Sequence, residues 1–272
     1  MWRWILAVAY AWPALGATPP DLNPIFRALY NFDFASAHAL LDREIAARPD
    51  DSLPYAVRAS AYLFSELDRL QILESEFFAD DKRIIEKKKL KPDAKVRERL
   101  FQAISDSQQR AMAVLARDPN DKSALFSMCV TNGVLSDYTA LVERRQMRSF
   151  SSVRRSNGYA VRLLKVDPKF YDAYLTTGIS EYLIGSMPFF LRWFVRVDGV
   201  EGSKDQAIKN LQLVATEGRY LGPFARILLG IVYLREKKPR EAQQTLEGLA
   251  REFPSNPLLR KELAKMAAQL PR

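Results

Sequence analysis

The chain carries one histidine, His38, and one cysteine, Cys129. That inventory bounds the chemistry at once. A histidine-based zinc site needs several ligands, and a Ser-His-Asp triad needs its histidine beside a nucleophile and an orienting acid. His38 lies in the small-residue run Ala35-Ser36-Ala37-His38-Ala39 and reads as packed or solvated. No Walker-type loop and no G-x-G-x-x-G stretch occurs. The acid pairs Asp50-Asp51 and Asp80-Asp81 fall in turn-like sequence, where helix capping accounts for them. A two-carboxylate hydrolase is the one enzymatic reading left open, since such a pair leaves no local signature. The expectation is a protein with no catalytic residue, no metal ligand and no cofactor, and not an enzyme.

The remaining chemistry is binding. Formal net charge is +9, which suits a basic soluble surface or an acidic partner. No nucleic-acid module is recognisable, so nucleic acid is not expected. Glu143 to Arg155 is the densest basic stretch, with Arg144, Arg145, Arg148, Arg154 and Arg155. It reads as a polar connection between helices. A second basic group, Lys87-Lys88-Lys89-Leu90-Lys91, reads as a solvated turn or a contact for anionic groups. From Pro188 to Val197 the chain is strongly apolar. Phe189, Phe190, Trp193 and Phe194 stand among Arg192 and Arg196, two arginines on one helical face. This segment is either a core helix wedged between neighbours or an amphipathic surface for an anionic membrane.

The elements that must position these groups are helical. Hydrophobic content is 48% with only 11 glycines, which argues against disorder and against an all-β fold. The stretch Pro223 to Pro254 sets the pattern. Leu229-Gly230 is followed by Tyr233, then Ala242, Leu246 and Pro254. This resembles the tetratricopeptide (TPR) pattern W-x2-L-G-x2-Y…A-x3-F…P, a helix-turn-helix unit of about 34 residues. Arg226 stands at the tryptophan position and Leu246 at the phenylalanine position. Gly230 and Ala242 are small enough for two antiparallel helices to approach. Pro239 suits a helix start and Pro254 a helix stop. The resemblance implies stacked neighbours, because one hairpin cannot bury its apolar face alone. The expected fold is therefore all-α, a TPR-like solenoid of antiparallel helix pairs.

Taken in order, Leu22 to Asn31 and Phe34 to Arg48 read as a first hairpin. A helix starts at Ser52, where Ala59 and Tyr62 repeat the spacing of Gly230 and Tyr233. Ala59 to Ser107 spans 48 residues where Gly230 to Ala242 spans 12. Leu63, Leu67, Leu70, Leu73, Phe77 and Ile84 continue a helical stripe through the excess. A long-armed hairpin insert over about residues 64–100 is expected, with its tip near Lys88. Arg48-Pro49-Asp50-Asp51, Asp118-Pro119-Asn120-Asp121 and Val166-Asp167-Pro168 are repeat-ending turns. A further insert covers about residues 185–202. Asn256 caps a last helix over about 257–270, the terminal cap of the solenoid.

The order Gly178…Met187-Pro188, then Val197 to Ser203, then Pro223 to Leu234, is similar to a TPR family associated with the mitochondrial outer membrane and inclusion-body clearance. That likeness covers roughly residues 171–250 and implies membrane association.

Residues 1–17 resemble a secretory signal peptide: Arg3, an apolar core, then Pro13 and the small residues before Ala17. The alternative is a buried N-terminal helix. Residues 18–272 form one domain. An exported chain with a lone cysteine is held by packing alone, which suits a bacterial periplasm or envelope. In a TPR solenoid the first helix of each unit lines a concave groove. That arrangement places Phe126, Val130, Leu175, Ile179, Tyr182, Phe224, Ile227, Ile231 and Leu234 along a groove that either takes a protein or peptide partner or is filled from within by the long hairpin or the Pro188 segment. The function expected is an exported scaffold for protein–protein interaction. The alternative is a peripheral membrane protein using the Pro188–Val197 segment.

Overall fold

The structure is a computed structural model and describes residues 21–73, 91–187 and 200–269. The leader-like residues 1–17, Phe77, Ile84, the lysine tip at 87–90, and Phe189, Phe190, Arg192, Trp193, Phe194 and Arg196 lie outside them. Among the described residues there are eleven α-helices and no strand. They are α1 (Asn23–Tyr30), α2 (Phe34–Ala47), α3 (Ser52–Arg69), α4 (Ala94–Leu115) and α5 (Lys122–Asp137). A π-helical turn, Tyr138–Val142, precedes α6 (Gln146–Val166). A 3-10 turn, Tyr171–Ala173, leads into α7 (Tyr174–Ser186). The chain ends in α8 (Lys204–Glu217), α9 (Gly222–Arg235), α10 (Pro239–Glu252) and α11 (Pro257–Gln269).

The helices pack in sequential pairs. Helix α1 lies on α2, α3 on α4, α5 on α6, α7 on α8 and α9 on α10, with α11 against α10. Each pair also meets the next, and α3 packs on α5.

Local chemistry sets the boundaries. Asp51 accepts the Leu53 amide at 3.0 Å, and Asp121 that of Ala124 at 2.8 Å. Such caps satisfy amides that a helix start leaves without partners, and losing one costs about 1 kcal/mol. The proline turns are pinned from both sides. Tyr55 donates to the Pro49 carbonyl at 3.1 Å, and Tyr174 to that of Pro168 at 3.3 Å. Arg110 also donates to Pro49, and Arg162 to Pro119.

Within pairs, the chain turns through left-handed residues: Phe32, Gln71, Arg144 and Lys237. At three of them a backbone bond runs back five residues, from Asp33 to Ala28, Ile72 to Leu67 and Lys238 to Tyr233. This is the helix-ending motif that glycine usually supplies. Its presence at Gln71 interrupts the expected stripe after Leu67. Helix α3 stops at Arg69, and Leu70 and Ile72 are buried at the turn instead.

The basic stretch from Glu143 to Arg155 also differs from expectation. Only Glu143–Arg145 connects helices, and the rest is the first half of α6. Ser149, Ser152 and Ser156 are buried there, and Ser156 donates to the Cys129 carbonyl at 2.8 Å. At Ser156 a small hydroxyl, not an apolar side chain, faces α5.

The first and last described parts of the chain meet. Phe26 stacks on Tyr220 with ring centres 5.0 Å apart, and Tyr30 donates to the Tyr220 carbonyl at 2.8 Å. Tyr30 also touches Phe253 at 5.3 Å, and Asn256 donates to the Tyr30 carbonyl at 2.8 Å. An open solenoid has contacts only between neighbours. Here α1 seals the turns that precede α9 and α11. One core cluster accordingly joins Leu22, Phe26 and Leu41 to Phe126, Leu163 and Tyr220.

Candidate binding face

The nine residues expected to line a groove separate into two groups. Phe126 is 1% exposed and lies 5.0 Å from the Phe170 ring. Leu175 and Tyr182 are buried as well, and Tyr182 donates to Glu236 at 3.2 Å. Val130 and Ile179 are half-buried and packed on core clusters. Phe126, Leu175 and Tyr182 are therefore core, whereas Val130 and Ile179 keep part of their surface open.

The other four share one face of α9. Phe224, Ile227, Ile231 and Leu234 are all half-buried, and their spacing of three, four and three puts them in a single stripe. Phe64 of α3 meets Phe224 edge-on at 5.3 Å, so two first helices converge across this face. Phe224 packs on the α7–α9 cluster, and Ile227 and Leu234 on the α10–α11 cluster. Ile231 belongs to no core cluster among the described residues.

Three buried carboxylates tie neighbouring helices together, one of them at the start of α9. Asp172 is 3% exposed and accepts the amides of Arg219 at 3.1 Å, Tyr220 at 3.1 Å and Leu221 at 2.8 Å. It thereby fixes the start of α9. Burial pushes its carboxyl up, and the three amides oppose that shift. Glu181 accepts from Glu201 at 3.1 Å and from Gly202 and Ser203 at 2.7 Å each. It ties the start of α8 to α7. Glu66 takes Arg69 with both oxygens at 2.8 Å and the Asp93 amide at 2.8 Å, which joins α3 to the start of α4.

Glycine is required at the Glu181 clamp. Gly202 sits at φ +77, and a Cβ on Gly185 would lie 2.6 Å from the Gly202 carbonyl oxygen. The sequence held one signal for this clamp that went unread. Glu181 is the only charged residue between Ala173 and Met187.

The chemistry-bearing residues stand apart. The His38 ring lies 4.4 Å from Tyr62. Burial, with the Arg58 charge adding, holds its pKa below the ordinary 6.5. Cys129 is buried 3.1 Å from the Thr176 hydroxyl, and burial pushes its thiol up, away from the reactive thiolate. Among the described residues no group of three or more His, Cys, Asp or Glu side chains could hold a metal. No helix among them is long and apolar enough to cross a membrane. Arg144, Arg145 and Arg148 surround a surface recess of about 310 Å³ at the start of α6.

No protein-family model matches the chain, and no curated protein or solved structure matches it.

Proposed function

We propose that this chain is a non-enzymatic scaffold, a closed variant of the TPR-like arrangement, that binds a partner protein along α9. The observation that carries this reading is the half-buried stripe Phe224, Ile227, Ile231 and Leu234, bordered by Phe64. A stripe with that spacing suits the apolar face of a partner helix or an extended hydrophobic peptide. The sequential helix pairs and their recurring left-handed turns support the TPR-like part of the reading. The scaffold is exported and works in a bacterial envelope; the leader-like sequence of residues 1–17 supports that placement. The test is Ile231→Asp. It adds a charge to the stripe at the position that carries least of the core. Partner capture lost with helicity retained supports the reading. Capture unchanged by the substitution removes it.

A further inference from the structure

The arginine-rich start of α6 has a surface distinct from the α9 stripe. Arg144, Arg145 and Arg148 are exposed around the recess, and Met147 between them is 83% exposed. Arg97 of α4 adjoins them through Glu143, at 3.2 Å. Glu143 also lies 3.7 Å from Arg145, so the sole acid of the group is shared between two arginines. Helix α6 begins here with no side-chain cap and no acid in its first turn, so its free N-terminal amides add to the positive field.

We infer that this turn is a contact for an anionic phospholipid surface, with Met147 entering the interface and the arginines on the phosphates. Guanidinium groups pair phosphate oxygens with two parallel hydrogen bonds. An apolar side chain ringed by cations is the arrangement that gains from both layers of a lipid interface. A single-stranded nucleic acid is the other polyanion, and its binding relies on exposed aromatic rings for base stacking. The exposed large hydrophobic residues among those described are Met112, Met147, Val166 and Leu183, none aromatic. The lipid surface is favoured on that ground.

The experiment is vesicle co-sedimentation of the full chain at near-physiological salt. Vesicles of phosphatidylcholine with one-third phosphatidylglycerol are compared with phosphatidylcholine alone. Wild type binds the anionic vesicles and releases them as salt rises. Arg145→Glu with Arg148→Glu weakens that binding at least about tenfold. A control of equal charge change elsewhere, Lys209→Glu with Arg260→Glu, stays within about twofold. Met147→Ser, which alters no charge, weakens binding by a smaller factor. Circular dichroism checks that each variant is folded. The inference is overturned if wild type does not bind anionic vesicles, or if both double variants bind alike. It is also overturned if the arginines govern binding to a single-stranded oligonucleotide and not to vesicles.

Discussion

Glu181 Oε2 accepts the backbone N–H of Gly202 at 2.7 Å, across 21 residues of sequence. The same oxygen takes Ser203, and Oε1 takes Glu201, so both oxygens of a side chain 5% exposed are occupied by amides. Glu181→Gln must turn an NH2 group towards at least one of those donors. A buried donor left without an acceptor costs about 1–3 kcal/mol. The variant should lose that much stability in urea unfolding, and the amides of Glu201, Gly202 and Ser203 should exchange faster with solvent. Unchanged exchange at those three amides would show that the clamp holds nothing.

Two glycines at matching positions should respond in opposite directions. A Cβ on Gly178 would stand 3.2 Å from Asn210 Cβ and 3.3 Å from both the Ala207 carbonyl and Leu211. A Cβ on Gly230 would meet Leu246 at 3.6 Å, ordinary contact. Gly178→Ala should therefore destabilise by about 1–3 kcal/mol through overpacking. Gly230→Ala should gain up to about 1 kcal/mol of helix propensity. Thermal melts of the two variants check the pair, and a loss at Gly230 equal to that at Gly178 would contradict it.

His38 gives a clean proton titration because it is the only histidine. Its folded pKa lies below 6.5, first through burial and then through Arg58. A histidine with a depressed folded pKa binds fewer protons folded than unfolded. Its contribution is complete above about pH 6.5. It declines as pH falls from there to the folded pKa, then levels off. Proton NMR of the imidazole should show a midpoint below 6.5. A midpoint at or above 6.5 would place the ring in water or beside an uncompensated acid.

Much of the fold was legible because it rests on local rules. The capping aspartate Asp51 and the turns at Pro49, Pro119 and Pro168 all stand where the sequence placed them. The turn at Gln71 was not legible, since Leu70-Gln71-Ile72 contains neither glycine nor asparagine. Its left-handed geometry is imposed by burying Leu70 and Ile72. The start of α6 was misread because its inward face is serine, which a hydrophobic pattern does not register. The closure of α1 onto Tyr220 and Phe253 depends on contacts between distant parts of the chain, which no local periodicity encodes. The Tyr220 part of that packing belongs to the same core that encloses Phe126.

The most direct test of the scaffold reading places a photo-crosslinking residue at position 231 of the full chain in envelope extract. The account predicts one dominant, saturable crosslinked protein. Untagged wild type should compete it away, and untagged Ile231→Asp with normal circular dichroism should not. Equal competition by Ile231→Asp, or no saturable product, would contradict the claim that the α9 stripe is a binding face.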